Sequence, residues 1–367
     1  MSMTALFGGV FNQKTVLVTG HSGFKGGWLS LWLTQLGAKV VGYALPPNST
    51  PDFYSSCELD RLMYSNFGDV REVAHLQKVF ETHQPEIIFH LAAQPLVRHS
   101  YDEPLETFSS NVMGTANVLD VARRTASVKA VVIVTSDKCY ENREWDYAYR
   151  ENDAMGGWDP YSASKGAAEL ITASYRRSYF EQEGSAAVVS VRAGNVIGGG
   201  DWSEDRLIPD CIRALRDHQR IELRQPDSLR PWQYVLEPLS GYLMLAAKLF
   251  KDECMAAAWN FGPLHESSIP VGELVDCLCK SWGGGEWLDV GEDNAKHEAK
   301  LLRLDCSLAQ GVLGWHPVYD FKTGLGETVG WYRQFCTQNG QGARELSLEQ
   351  LRRYVKEARR QGLVWAV

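Results

Sequence analysis

Hydrophobic residues in the first half of the chain follow two alternating rhythms. Short apolar runs stand at 15–19 (TVLVT), 39–43 (KVVGY), 86–92 (EIIFHLA), 129–135 (KAVVIVT) and 186–192 (AAVVSVR). Bounded runs rich in β-branched residues predict strands buried on both faces. Between them, apolar residues recur at helical spacing over 23–36, stopped by Gly37, over 70–82, over 104–124, opened by Pro104, and over 161–180. Strands alternating with helices predict βαβ crossovers, hence a doubly wound α/β fold around a parallel sheet. After Asn195 the rhythm loosens. Gly198, Gly199 and Gly200 and five prolines from Pro209 to Pro263 break it into short mixed segments. The expectation is one domain over 1–194 and a smaller mixed α/β domain over 195–367, with some segments crossing back. Arg and Glu at helical spacing over 344–361 predict a solvated terminal helix.

Composition narrows the function. The 367 residues carry 37 Lys+Arg against 45 Asp+Glu, a net charge of −8. No positive excess exists to meet phosphates, so nucleic acid and acidic membrane surfaces are excluded as general partners. No apolar run spans a bilayer, and the N-terminal segment lacks a basic stretch followed by an apolar one. A cytoplasmic protein is expected. Cysteines at 57, 139, 211, 254, 277, 279, 306 and 336 form no CxxC pair and no zinc-finger spacing with histidine. They read as reduced thiols. His21 and His90 have no metal-ligand spacing, so no metal is expected.

The turn after the first strand is TGHSGFKG (19–26). Gly20 suits a tight exit from the strand. Gly23 permits close backbone approach to a phosphate, and Gly26 permits close helix–sheet packing. The helix start then offers unpaired N–H groups and a positive dipole end to a pyrophosphate. This makes the first domain a Rossmann-type dinucleotide site. The acidic residue expected after the second strand is missing, with Tyr43-Ala44-Leu45 in its place. NAD and NADP are therefore not separated by the residues, although the lack of a nearby Arg favours NAD. Asp69 either faces the adenine or sits in a surface turn.

Tyr161 and Lys165 (YSASK) lie four residues apart, on one helix face. An ammonium beside a phenol favours the phenolate, so Tyr161 is a candidate general base. The strand 129–135 leads into Ser136, Asp137 and Lys138, and ligands bind beyond the carboxyl ends of such strands. Those three residues should meet Tyr161 across one crevice.

These motifs resemble the extended short-chain dehydrogenase/reductase family. The resemblance rests on TGHSGFKG, HLAAQ (90–94), NVMGT (111–115), YSASK and RAGNVIGGGD (192–201). Within the family the chain looks like the nucleotide-sugar 4,6-dehydratases. SDKCY, YRENDAMGGWDPYSASK and LRPWQYVLEPLSGY look like their CDP-glucose type. The likeness runs from about residue 10 to about 335.

The resemblance implies a bound NAD held by Gly20, Ser22, Gly23, Phe24, Gly26, Asp69, Val70, Leu91, Ala92, Ala93, Tyr161 and Lys165. It implies dehydration of CDP-glucose without net redox change. Tyr161, helped by Lys165 and Ser136, takes the 4-OH proton. Hydride leaves C4 and returns at C6, while Asp137 protonates the departing 6-OH. Many relatives carry Asp-Glu where this chain has Asp137-Lys138. Lys138 then either takes the C5 proton or stabilises the enolate. Gln94, Arg98, Asn195, Arg206, Arg230 and Arg303 are the implied sugar and diphosphate contacts. A homodimer built on 104–125 and 159–180, or a tetramer, is implied, as is a product used for 3,6-dideoxyhexoses of surface polysaccharide. The competing readings are a dehydratase for dTDP-glucose or GDP-mannose, a 4-epimerase lacking any need for Asp137-Lys138, and a non-catalytic cofactor-binding protein.

Overall fold

The computed structural model describes residues 2–251, 257–263, 268–291 and 301–367. Cys254 lies outside them. The five apolar runs form β1 (Thr15–Thr19), β2 (Lys39–Ala44), β4 (Ile87–His90), β5 (Ala130–Val134) and β6 (Ala187–Ala193), while β3 (Tyr64–Phe67), between β2 and β4, is a polar, partly exposed strand that the apolar pattern does not predict. They are followed by β7 (Asn195–Ile197), β8 (Ile221–Leu223), β9 (Leu229–Tyr234), β10 (Ala258–Phe261), β11 (Ser268–Pro270) and β12 (Trp287–Asp289). Seven strands make one parallel sheet in the order β10-β6-β5-β4-β1-β2-β3. Chain order reverses between β1 and β4, which opens a crevice at their carboxyl ends. Central strands such as β5 are buried at every position, as their unbroken apolar sequence requires.

The predicted helix 104–124 is interrupted. Helical turns at Pro104–Phe108 and Gly114–Arg123 flank a widened π-type turn at Ser109–Met113. The extra residue turns Asn111 inward. Its Oδ1 accepts from the Gln94 amide N–H at 2.8 Å, and its Nδ2 donates to Ser164 Oγ at 2.8 Å. The exit of β4 is thereby tied to the helix Pro160–Tyr179, which carries Tyr161.

Beyond residue 195, two small sheets form, β11-β9-β7 and β12-β8. The helix Leu236–Phe250 and β10 return to the large sheet, against β5 and β6. One hydrophobic core runs through both parts. The terminal helix, Ala343–Arg360, differs from the expected solvated one. It buries Leu346, Leu351, Tyr354 and Val355, and Tyr354 packs edge-on to Trp32. Apolar residues at every third or fourth position under the charged ones account for this.

Candidate active site

At the end of β1 the backbone turns at Gly20, with φ +76°, where a Cβ would stand 2.8 Å from the Ala92 nitrogen. A Cβ on Gly26 would stand 2.0 Å from the Gly20 carbonyl oxygen. Gly23 caps the helix Phe24–Gln35 without a side chain, and a Cβ there meets nothing nearer than 3.5 Å. The first-turn amides therefore have no side-chain cap and border open space. Thr19 Oγ1 accepts from the Leu91 and Ala92 amides at 3.1 and 3.2 Å, fixing the exit of β4 beside the turn. Ala93 follows, half-buried. Ser22 donates to the Leu45 carbonyl at 2.7 Å, and Phe24 packs on the core. This cradle fits a dinucleotide pyrophosphate.

Where an acidic residue was expected, the Tyr43 hydroxyl donates to the Asp69 carbonyl at 2.9 Å. Arg71 grips the Asp69 carboxylate through Nε at 3.0 and 2.9 Å, which holds that carboxyl below the usual range. Val70 is buried under Gly114.

The catalytic candidates gather at the carboxyl end of β5. Ser136 Oγ donates to Asp137 Oδ1 at 2.9 Å and accepts from the Lys138 amide at 3.2 Å. Asp137 is 6% exposed, and burial raises its carboxyl above the usual range against the pull of Lys138, Ser136 and Arg230. Gly194 leaves room for it, since a Cβ there would stand 3.0 Å from Asp137 Oδ2. The helix Pro160–Tyr179 starts at Asp159, whose carboxylate accepts from the Ser162 amide at 2.8 Å. Pro160 occupies its first turn, where no N–H is needed.

Tyr161 and Lys165 are both buried, one turn apart. Burial pushes the Tyr161 phenol up to about 12, opposed by Ser136 and Arg206. It pushes the Lys165 ammonium down to about 8. The pull expected of Lys165 on the phenol is set against a larger push from burial. Its Nζ lies 6.0 Å from the ring centroid and 3.5 Å from the Val134 carbonyl oxygen. A cation at that range does not offset the lost solvation of a buried phenolate. Arg206 is a further nearby cation that opposes the rise.

The remaining candidates divide. Arg206 pairs with Asp201 at 2.9 Å and faces Tyr161. Arg230, in β9, faces Asp137. Arg303 lines a cavity with Gly194, Pro231 and Gly262, and its Nε has no partner among the described residues. Asn195 opens β7 opposite Trp232, and Arg98 is half-buried in the helix Val97–Asp102. Gln94 departs from its expected role as a substrate contact. Its Nε2 donates to the Leu96 carbonyl at 3.1 Å and Thr107 Oγ1 at 2.8 Å, and its Oε1 accepts from the Leu96 amide at 2.5 Å. Both amide hydrogens are committed inside its own loop.

Sequence reasoning missed Lys25. Its Nζ lies 5.9 Å from the Tyr242 ring centroid, and burial, with Lys165 and Arg206 nearby, pushes it down to about 8. The signal was a lysine inside the glycine turn, where only glycine spacing was read. Among the described residues, no group of three or more His, Cys, Asp or Glu could hold a metal, and no helix is long and apolar enough to cross a membrane. The described cysteines are free. The crevice thus combines a buried phenol, a carboxyl biased towards its protonated form and several cations, a set suited to proton transfer beside a bound anion.

Comparison with known proteins agrees. The chain is 51% identical over 327 residues to a CDP-glucose 4,6-dehydratase of Salmonella typhimurium, covering 87% of this chain and 90% of that one. It is 27% identical to a dTDP-D-glucose 4,6-dehydratase of Bos taurus, covering 88% and 89%. A dTDP-glucose 4,6-dehydratase from Streptomyces venezuelae, solved with NAD, superposes with a TM-score of 0.75 at 24% identity, covering 87% and 97%. A UDP-glucose 4-epimerase from Thermotoga maritima gives 0.77 at 20%, covering 88% and 99%, so both activities share this fold. The model of the GDP-mannose 4,6 dehydratase family matches residues 17–328, which takes in the glycine turn, the Ser136–Lys138 turn and the Tyr161–Lys165 helix, and the chain belongs to that family.

Proposed function

We propose that this protein dehydrates CDP-D-glucose to CDP-4-keto-6-deoxy-D-glucose, with NAD as its resident cofactor. The observation that carries the reading is the buried Asp137 next to Lys138, on the turn that faces Tyr161. The 51% identical relative of that name supports the nucleotide assignment.

Gly20, Ser22, Gly23, Phe24, Gly26, Asp69, Val70 and residues 91–93 would hold the dinucleotide, with Tyr161 and Lys165 at its reactive end. NAD bound there supplies a reversible hydride sink and a fixed positive charge. Tyr161, flanked by Ser136 and Arg206, accepts the proton from O4. With the C4 hydride given up to that sink, the 4-ketone would make C5–H acidic, because the carbanion is an enolate; the same hydride returned at C6, with a proton at C5, would complete the 6-deoxy product after water leaves. Lys138 takes up that proton or stabilises the enolate charge. Asp137, whose carboxyl burial raises above the usual range, gives a proton to the departing 6-OH. Arg206, Arg230 and Arg303 supply cationic donors for the diphosphate, with Arg98 and Asn195 at the margin. The unpartnered Nε of Arg303, at the cavity wall, supports its place among them.

We further infer a cytoplasmic homodimer. Leu105, Met113 and Leu170 are 82%, 54% and 63% exposed on neighbouring helices. Such an apolar face suits pairing with a second copy into a four-helix bundle.

The test is incubation with NAD and, separately, CDP-glucose, dTDP-glucose, UDP-glucose and GDP-mannose, with loss of water followed by mass spectrometry. Dehydration of CDP-glucose alone is expected. Dehydration of another sugar nucleotide instead refutes the CDP assignment, and epimerisation without mass change refutes the dehydratase reading.

A further inference from the structure

A buried polar network lies directly behind the catalytic turn. Glu169 and Arg192 form an ion pair at 2.8 Å, with both side chains 4% exposed. Glu169 also accepts from Thr135 Oγ1 at 2.5 Å and Ser190 Oγ at 2.7 Å. The other arm of the Arg192 fork donates to Tyr140 Oη at 2.7 Å and to the Glu151 carbonyl at 3.0 Å. Tyr140 Oη in turn donates to Asn260 Oδ1 of β10 at 2.8 Å. Thr135 precedes Ser136, and Tyr140 follows Cys139. The network therefore holds the turn that carries Ser136, Asp137 and Lys138 at both ends.

Helix geometry adds a second consequence. Glu169 lies four residues after Lys165, on the same face of the helix Pro160–Tyr179. A buried carboxylate one turn away is a natural partner for the Lys165 ammonium. Here that carboxylate is already satisfied by Arg192 and two hydroxyls, which leaves the ammonium to its place at the Tyr161 ring.

We propose that Arg192 and Glu169 are positioning residues: Arg192 occupies Glu169 so that Lys165 stays beside Tyr161, and through Tyr140 it clamps the Ser136–Lys138 turn. This rests on the proposed reaction. Neither residue touches substrate in the proposal.

Cys139, Tyr140, Glu151 and Arg176 face the Arg192–Glu169 pair, and other charged or titratable groups face Tyr161 and Lys165. Asp137 and Cys139 lie on the turn, and Asp159 at the helix start. Lys25 comes from the first helix, His90 from β4, Arg206 from the loop before Leu207–Arg216 and Tyr242 from Leu236–Phe250. Each is unchanged in the variants below, so a shift between them reports on the Arg192–Glu169 pair.

The experiment uses the NAD-loaded enzyme. Arg192→Met should lower kcat about 10- to 100-fold and move the acidic limb of the kcat–pH profile upward by about one unit, because the freed carboxylate draws Lys165 away. KM should stay within about two-fold, since no substrate contact is lost. Arg192→Met combined with Glu169→Gln removes the competitor and should return the limb to the wild-type position. If Arg192→Met does not fold, Glu169→Gln alone carries the test and must move the limb the opposite way, towards acid. The same titration is read in the near-ultraviolet absorbance of the phenolate, as the difference from Tyr161→Phe, without sugar substrate. An unmoved limb in the folded single variant, or a limb still raised in the double variant, overturns the proposal. If no sugar nucleotide is turned over but the phenolate titration shifts as stated, the reaction assignment fails and the positioning role stands.

Discussion

Substituting alanine at Gly26 and at Gly23 should separate two kinds of glycine in the same turn. At Gly26 the new Cβ would sit 2.0 Å from the Gly20 carbonyl oxygen and 2.7 Å from its carbon. Ordinary contact begins at about 3.4 Å, so helix and turn must part by more than about 1 Å. Both clashing groups are backbone, and no side chain can rotate away. Overpacking of this kind costs about 1–3 kcal/mol, and a backbone clash belongs at the top of that range. An unfolding entropy of about 2.1 cal/mol/K per residue converts about 3 kcal/mol into a loss of about 4 °C in Tm for a chain of 367 residues. The same displacement moves the first-turn amides. Losing one or two hydrogen bonds to a charged group, at about 1.5–3 kcal/mol each, weakens NAD binding at least about 10-fold. At Gly23 the nearest atom is 3.5 Å away and the backbone is extended, with φ −83°. Alanine there should cost less than about 1 kcal/mol of stability, through its poorer capping. It still places a methyl where a phosphate must approach. Differential scanning fluorimetry of the unliganded protein, with NAD titration by fluorescence quenching, reads both effects. Gly26→Ala should be unstable and bind weakly, whereas Gly23→Ala should be stable and bind weakly. A Gly26→Ala protein as stable as wild type would refute the packing argument, and unchanged NAD affinity in Gly23→Ala would refute the phosphate argument.

Four further outcomes follow from the site and its surroundings. Tyr161→Phe removes the proton acceptor and should lower kcat about 10²- to 10⁴-fold with NAD affinity retained, which single-turnover kinetics and a binding titration together check. Asp137→Asn cannot deliver a proton to O6, so deuterium exchange at C5 should persist while water loss is abolished, and Lys138→Glu should keep C4 oxidation while changing the elimination rate; equal loss of both partial reactions in either variant counts against the assignment. Burial raises the Glu237 carboxyl to about 7, so the native state keeps a proton that the unfolded chain releases near 4.5. Stability is therefore highest below that lower value and falls as pH rises towards about 7, by about 3 kcal/mol in all, which urea unfolding of wild type and Glu237→Gln between about pH 5 and about pH 8 would test as a slope present only in the wild type. Leu170→Glu puts a charge on the exposed apolar helix face and should give a monomer by light scattering, and a persistent dimer places the interface elsewhere.

Five of the seven strands of the large sheet and the glycine turn were legible because each depends on local residues. TVLVT can only be a buried strand once GHSGFKG turns it into a helix. Ser136, Asp137 and Tyr161 were legible for a topological reason, since the carboxyl ends of neighbouring strands converge. What escaped depended on contacts distant in sequence. Gln94 reads as a polar residue near the crevice, but Thr107 and Leu96 use its amide fully. The widened turn at Asn111 has no periodic signature, because one inserted residue leaves the apolar spacing on both sides intact. Lys25 sits in a glycine pattern that ignores the residues between glycines. The apparent solvation of the terminal helix failed because charge counting overlooks the Leu351–Tyr354–Val355 stripe beneath.

The likeness to both epimerases and dehydratases shows where function is decided in this scaffold. In the proposed reaction, removal of a proton from O4 while hydride leaves C4 falls to Tyr161 and the cations around it. Dehydration also needs a proton donor that is still protonated at neutral pH and stands beside a group able to manage negative charge at C5. An exposed aspartate cannot be that donor, because it ionises near pH 4. Burial of Asp137 against Gly194 moves its carboxyl in the required direction, against the pull of Lys138, Ser136 and Arg230. A side chain at position 194 would meet the carboxylate at 3.0 Å, so the carboxylate would have to give by a few tenths of an ångström. The place of the raised carboxyl is thus shared with a missing Cβ in a different strand connection. The RAGN segment supplies Arg192 to the network behind the turn and Gly194 to the space before it, so it shapes the surroundings of the Asp-Lys pair.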